Sequence, residues 1–261
     1  MMITTTENIQ TKVDRGVASH IDVGSGKPLI FLHGLFGGLS NWDNVIKKFA
    51  HQYRVLVPQL PLLELDIRKA NLDSLVDYVR EFKNSLGIKS ATLVGNSLGG
   101  HVALLYTLRN PHRVSSLVLV GSSGLYENSF GNSFPKRGDY GYVRNKVADI
   151  FHNKTVVTED LVNDVYETTR SISNSLKIVH YAKSAQRNNL ADYLSLIQVP
   201  TQIIWGANDP VTPPEVGLRF NKAIKGSELH LIPECGHVPM METPEVFNGL
   251  LESFLKRTLQ D

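Results

Sequence analysis

Short apolar runs alternate with amphipathic segments along most of the chain. The runs are rich in aliphatic and β-branched residues, as in buried strands, and several lead into segments of helical periodicity. We predict two short strands within residues 13–23, around an Asp14-Arg15-Gly16 turn, and further strands over 29–32, 53–57, 91–94, 117–120, 202–205 and 228–232. We predict helices over 41–50, 72–86, 98–110 and 244–256. This alternation predicts an α/β fold with a mostly parallel, doubly wound sheet.

One long stretch breaks the alternation. Residues 122–198 contain no convincing strand and have helical patterns over 142–151, 158–169 and 175–188. We therefore predict a helical cap over 122–198, inserted into a core domain formed by 1–121 and 199–261. Its apolar residues can line a pocket or pack the cap onto the core, and packing is the commoner role; they are Val143, Val147, Ile150 and Phe151.

Composition and charge limit the partners. The 261 residues include 27 basic and 25 acidic side chains, a net charge of +2, which argues against a nucleic-acid partner. No apolar run is long enough to span a membrane, and we expect no signal peptide, because residues 1–16 are polar and lack an apolar core. The single cysteine, Cys235, excludes an internal disulfide. We expect a cytoplasmic protein that acts on a small molecule. The sequence leaves open whether the protein forms a homodimer.

A candidate nucleophile lies between a predicted strand and a predicted helix. Gly95-Asn96-Ser97-Leu98-Gly99 has the Gly-x-Ser-x-Gly pattern of a sharp strand-to-helix turn, which exposes its serine at the positive end of the helix. The pattern alone is common and often marks an ordinary turn. A nucleophilic serine also needs a base, an acid and donors for the developing negative charge.

Two later loops contain residues that can supply the base and the acid. Asp209 follows the predicted strand 202–205, and His237 follows the last predicted strand. The order Ser97, Asp209, His237 is that of a nucleophile elbow on an α/β sheet. Alone, Asp209 could form an Asx turn before Pro210, and His237 could be a solvated loop histidine.

The remaining candidates are donors that could bind an oxyanion, and residues with weaker functional signals. The glycine-rich turn at His33-Gly34 can direct a backbone N–H towards an oxyanion, with the N–H of Leu98 as a second donor. Most other histidines are expected to be structural, but His101 lies one turn into the helix after Ser97. Cys235 is expected to be a packing residue. No metal-ligand spacing is present, and we expect no cofactor.

These motifs, spread over about residues 12–256, resemble those of α/β-hydrolase-fold serine hydrolases. The resemblance implies Ser97 as nucleophile, Asp209 as acid and His237 as base. It implies the backbone N–H groups of Leu35 and Leu98 as the oxyanion hole, with Phe36 in place of Leu35 if the turn is shifted.

Within this fold, Gly95–Gly100 and Trp205-Gly206-x-x-Asp209 resemble the carbon–carbon hydrolases of aromatic-ring degradation. Three segments differ from the usual pattern. Val238 stands where those enzymes usually have tryptophan after the histidine, and Phe36-Gly37-Gly38 replaces Gly-Pro-Gly. In addition, 59–65 replaces the glycine-rich turn that the fold usually has after the second parallel strand, so that wall of the site is expected to differ.

The leading hypothesis is a serine hydrolase that cleaves a small or medium, mostly apolar ester through an acyl-enzyme. A β-diketone (carbon–carbon bond) hydrolase is the alternative on chemistry. A ligand sensor that keeps the triad but hardly turns over is an alternative of another class, since fold does not fix function. Epoxide or haloalkane hydrolysis would need a carboxylate at the elbow, where this chain has Ser97.

Overall fold

A computed structural model describes residues 11–12, 19–126 and 138–259. The predicted Asp14-Arg15-Gly16 turn lies outside these ranges. The strands are β1 (Thr11–Lys12), β2 (His20–Val23), β3 (Pro28–Leu32), β4 (Arg54–Pro58), β5 (Ala91–Asn96), β6 (Val114–Val120), β7 (Thr201–Gly206) and β8 (Glu228–Ile232). They form one sheet in the order β1-β2-β4-β3-β5-β6-β7-β8.

The sheet is mostly parallel, as the sequence predicts. All adjacent strands from β4 through β3, β5, β6 and β7 to β8 pair in parallel. At the other edge of the sheet, β2 pairs antiparallel with β4, and β1 pairs antiparallel with β2. Gly95 at the end of β5 pairs with Leu32 on β3 and with Leu119 on β6. The loops after β3, β5, β6, β7 and β8 therefore leave the same edge of the sheet, where parallel α/β sheets bind ligands.

The helices cover both faces of the sheet. They are α1 (Asp43–Phe49), α2 (Leu72–Ser85), α3 (Leu98–Arg109), α4 (Tyr140–Asp149), α5 (Glu159–Arg170), α6 (Ile172–Arg187), α7 (Pro214–Ala223), α8 (Pro239–Glu242) and α9 (Pro244–Thr258). Within the described ranges, no helix combines the length and apolarity needed to cross a bilayer. Two apolar clusters fill the space on the two faces, and β3 serves both, with Ile30 and Leu32 in one and Leu29 and Phe31 in the other.

Local signals explain where the helices begin and end. The Asn71 side chain accepts a hydrogen bond from the Ser74 N–H at 3.0 Å and caps α2, and Gly87 follows the helix at a φ of +67°. Helix α7 was not among the predicted helices, and two prolines, Pro213 and Pro214, stand at its start. Pro214 is the first residue of the helix, where the missing N–H has no helical partner to lose.

Three helices, α4, α5 and α6, lie between β6 and β7, as expected for the helical insertion. Side chains of Asp139, Thr158 and Ser171 cap their N-termini. Val143 and Val147 of α4 join one apolar cluster, and Tyr181 of α6 joins the other. The division into a core domain and a separate cap over 122–198 stays a prediction.

The turn from β5 into α3 requires two glycines because backbones approach closely there. A Cβ on Gly95 would lie 2.4 Å from the carbonyl oxygen of Gly99. A Cβ on Gly99 would lie 2.2 Å from the carbonyl oxygen of Leu32. Both distances are shorter than any van der Waals contact, and the atoms met belong to backbone, which cannot rotate away.

We therefore expect Gly99→Ala to lower the free energy of unfolding by about 1–3 kcal/mol or more, because the new methyl group overpacks α3 against β3. Gly249→Ala is the matched control, since Gly249 lies in α9 with open space around its Cα. It should raise stability by about 0.5–1 kcal/mol through helix propensity. Urea unfolding monitored by circular dichroism measures both, and equal effects would contradict the packing explanation.

Candidate active site

The predicted triad residues come from three loops at one edge of the sheet. Ser97 directly follows β5, Asp209 follows β7, and His237 follows β8. Ser97 and His237 line the same cavity, and Asp209 is buried behind His237. The structure thus brings together three residues that lie far apart in the sequence.

Ser97 has an unusual backbone conformation. Its φ of 54° and ψ of −120° place a non-glycine residue in a strained region that costs on the order of 1–3 kcal/mol. Hydrogen bonds hold this conformation. The Ser97 N–H donates to Val120 O at 3.0 Å, and Ser97 O accepts from the N–H groups of Gly100, Ser123 and His101 at 3.0–3.2 Å. The side chain is therefore held at the turn, half-buried, with its position set by the backbone.

Asp209 binds His237 and also forms its own turn. Asp209 Oδ2 lies 2.8 Å from His237 Nδ1, and Oδ1 accepts from the N–H groups of Val211 and Thr212 at 2.8 and 3.0 Å. The Thr212 hydroxyl lies 2.9 Å from Oδ2. The Asx turn and the contact with histidine, both of which the sequence allows for Asp209, thus occur together.

The hydrogen bond to Asp209 sets the tautomer of His237. A carboxylate accepts but does not donate, so Nδ1 carries the proton in the neutral ring. Nε2 is then the basic atom, as required for taking a proton from a hydroxyl. Only 3% of Asp209 and 5% of His237 is exposed, so water competes weakly for this bond.

Core and insertion together hold the loop that carries His237. The His237 N–H donates to Ile150 O at 2.9 Å, and His237 O accepts from the Asn96 side chain at 3.2 Å. The Glu242 carboxylate accepts from the Gly236 N–H at 2.7 Å and from the Asn153 N–H. Glu242 and Thr212 were not among the predicted site residues. Thr212 lies three residues after Asp209, in the same turn, whereas nothing in the sequence pattern identifies Glu242.

A buried histidine fixes the glycine-rich loop after β3. His33 Nε2 accepts from the Leu60 N–H at 3.0 Å, so Nδ1 carries the proton and donates to Gly34 O at 2.8 Å. Burial lowers the pKa of His33 to about 4 from an ordinary value of 6.5. The ring is therefore neutral near pH 7 and positions the loop.

The predicted oxyanion donors border the cavity. Leu35, Phe36 and Leu98 all line it. Leu98 is the first residue of α3, so its N–H has no partner within the helix. Among the hydrogen bonds of the described residues, none uses the N–H of Leu35. The assignment of Leu35 and Leu98 as donors, and the choice between Leu35 and Phe36, remain predictions.

The unusual segment 59–65 packs against α6 instead of bordering the cavity. Pro61 O accepts from the Tyr181 hydroxyl at 3.4 Å, and Leu63 O accepts from Lys177. Leu60 and Leu62 belong to the core. Within the described residues, none from 59 to 65 lines the cavity, so this segment acts on the site through its bond to His33.

His101 and Cys235 are both buried. His101 Nε2 lies 2.9 Å from Asn188 O, and its Nδ1 lies 3.3 Å from the Ser123 hydroxyl, so the ring ties α3 to the end of the insertion. Burial lowers the pKa of His101 to about 4 and raises the pKa of the Cys235 thiol to about 12. Cys235 therefore stays a thiol near pH 7, as expected of a packing residue.

A cavity of about 530 Å³ lies above Ser97 and His237. The insertion forms much of its wall, which is largely apolar. The expectation that the apolar residues of α4 and its end mainly pack is only partly right, because all four also line the cavity: Val143, Val147, Ile150 and Phe151. Val238, beside His237, lines it too.

Comparison with known proteins identifies the family. A profile of the alpha/beta hydrolase fold matches residues 27–176 and 159–244. A 2-hydroxy-6-oxononadienedioate/2-hydroxy-6-oxononatrienedioate hydrolase from Klebsiella pneumoniae is 31% identical over 267 residues, 93% of this chain and 92% of its own. A 2-hydroxy-6-oxo-6-phenylhexa-2,4-dienoate hydrolase from Comamonas testosteroni is 28% identical over 90% of both chains.

A solved structure agrees with this match. An alpha/beta hydrolase enzyme from the metagenome of sediments from the lagoon of Mar Chica, Morocco, is 38% identical. It superposes with a TM-score of 0.79 over 95% of this chain and 98% of its own. The chain belongs to the alpha/beta hydrolase fold family, and the expectation of a hydrolase of this fold is confirmed.

The two buried neutral histidines predict a pH dependence of stability. Below pH 6.5 both imidazole rings take up protons in the unfolded chain, whereas in the folded protein they stay neutral until about pH 4. The free energy of unfolding should therefore fall as pH decreases from 6.5 to 4. His33→Asn and His101→Asn should each reduce this slope by up to about 1.4 kcal/mol per pH unit. Urea titrations at several pH values measure this slope. Unchanged slopes in both variants would contradict the conclusion that the two histidines are buried in the neutral form.

Proposed function

We propose that the protein hydrolyses a carbon–carbon bond beside a ketone, with Ser97 as nucleophile, His237 as base and Asp209 as its partner. One observation carries the proposal: His237 is held by Asp209 at 2.8 Å and lines the same largely apolar cavity as the strained Ser97. The substrate class follows from the named relatives, which favour carbon–carbon cleavage over the ester cleavage expected from the sequence.

The substrates in the relatives' names define the bond that would break. A 2-hydroxy-6-oxo-dienoate contains no ester or amide, so its hydrolysis must break the bond between C5 and the C6 ketone. In the 2-oxo tautomer, C5 is joined through an alkene to a second carbonyl. The electron pair of the broken bond can therefore move along the chain to that carbonyl oxygen as a dienolate.

Each step can be assigned to a group in the site. Ser97 Oγ attacks the C6 carbonyl while His237 Nε2 takes its proton, and the N–H groups of Leu98 and Leu35 (or Phe36) bind the oxyanion. The C5–C6 bond then breaks, and His237 returns the proton to the dienolate. Water, deprotonated by His237, hydrolyses the remaining acyl-Ser97 to a carboxylic acid and restores the serine.

Ester hydrolysis is the second candidate, because it uses the same nucleophile, base and donors. The presence of Val238 favours it, since Val238 lines the cavity where hydrolases of aromatic degradation usually have tryptophan. The third possibility, a ligand sensor with little turnover, requires the same cavity but no activated serine. One experiment distinguishes the three.

We expect the protein to hydrolyse 2-hydroxy-6-oxo-6-phenylhexa-2,4-dienoate. The reaction is measured by the loss of absorbance of this substrate and by the formation of benzoate. Ser97→Ala should lower kcat by a factor of about 10³ or more while the circular dichroism spectrum stays unchanged. Ser123→Ala is the matched control, because it also removes a hydroxyl from the cavity wall. It loses the long 3.4 Å contact of that hydroxyl with Ser97 O and its contact with His101, but keeps the shorter backbone N–H bond to Ser97 O. Its kcat should stay within about tenfold of the original.

Other outcomes would redirect the assignment. Hydrolysis of p-nitrophenyl esters without dienoate cleavage would favour the second candidate. Binding of the dienoate and of the p-nitrophenyl esters without turnover of either would favour the ligand sensor. Equal activity of the Ser97→Ala and original proteins would overturn the role of Ser97 in all of them.

A further inference from the structure

We infer that the cavity takes a substrate with one carboxylate and an apolar opposite end, and that Lys146 binds this carboxylate. The inference rests on the proposed function and selects between the two kinds of substrate in the relatives' names. One is a phenylhexadienoate, with a single carboxylate, and the other is a nonadienedioate, with two.

The charges along the cavity wall are few. Among the described residues that line it, Lys146 is the only lysine or arginine and Asp149 the only carboxylate. Both lie on α4, and about half of each side chain is exposed, so they mark the solvent end of the cavity. Lys146 therefore borders both the cavity and solvent.

Lys146 is able to change partners. Its Nζ lies 3.8 Å from Asp149 Oδ2, beyond ordinary hydrogen-bond distance, and 5.8 Å from the centre of the Tyr142 ring. Asp149 is shared, because Lys154 Nζ lies 3.8 Å from its other oxygen. Two lysines around one carboxylate leave a surplus positive charge. Exposed ion pairs of this kind are weak, so a substrate carboxylate can bind Lys146 beside or instead of Asp149.

The rest of the wall suits an apolar group. Apolar side chains of the insertion dominate it, including Val143, Val147, Leu161 and Val165. A phenyl group placed among them is stabilised by leaving water. A second carboxylate placed there would lose its hydration without gaining a cationic partner, which disfavours its binding. The wall therefore selects a monoacid with an apolar acyl end.

The test compares two substrates and two lysine variants. We expect kcat/KM of the original protein to be at least roughly tenfold higher for 2-hydroxy-6-oxo-6-phenylhexa-2,4-dienoate than for 2-hydroxy-6-oxononadienedioate. Lys146→Gln should raise KM for the phenyl substrate roughly three- to tenfold with little change in kcat. Lys154→Gln is the matched control: it removes the same charge from the same Asp149 but does not line the cavity, and KM should stay the same.

The outcomes separate this inference from the proposed function. Preference for the diacid, or equal KM values for the two lysine variants, would overturn the inference while carbon–carbon cleavage stands. Absence of dienoate cleavage would overturn the proposed function instead. Binding then tests the lysine independently: the Kd of the phenyl dienoate for Ser97→Ala protein should rise when Lys146→Gln is added, and an unchanged Kd would overturn the role of Lys146.

Discussion

The direct contact between the start of α3 and the backbone of β3 is the constraint on which the site depends. Only hydrogen atoms at Gly95 and Gly99 allow the turn and the two strands to approach this closely. The helix therefore begins immediately after the sheet ends, and Ser97 must adopt its strained φ. The hydrogen bonds to its carbonyl oxygen are the compensation that keeps this conformation populated.

The remaining groups of the site are arranged by hydrogen bonds to the backbone. His33 joins the loop after β3 to the end of β4, and Asp209 orders its own turn while it orients His237. Such bonds are short-ranged and directional, so they fix side chains within a fraction of an ångström. A site of this kind is prepared before any ligand enters, which is what electrostatic stabilisation of an oxyanion requires.

Much of the fold could be predicted from the sequence because continuous apolar runs mark strands buried on both faces. The strand predicted over 228–232 is confirmed as β8, and the helix predicted over 72–86 is confirmed as α2 to within one residue. Helix α7 was not predicted, and its start carries no clear signal, because proline occurs both in loops and in the first turn of helices. The Asp209–His237 contact was expected from the positions of both residues after predicted strands and from the family resemblance. Glu242 and the His33–Leu60 bond depend on distant backbone groups, which no local pattern identifies.

The bond from the His237 N–H to the carbonyl of Ile150 has a consequence for engineering and for the divergence of such enzymes. The helical insertion does not merely cover the cavity, because its backbone also supports the loop of His237, the proposed base. Grafting an insertion from another family member would therefore change the position of the imidazole together with the shape of the pocket. The shape of the pocket and the position of His237 are mechanically coupled in this chain, and a successful graft must reproduce one carbonyl oxygen as well as a surface.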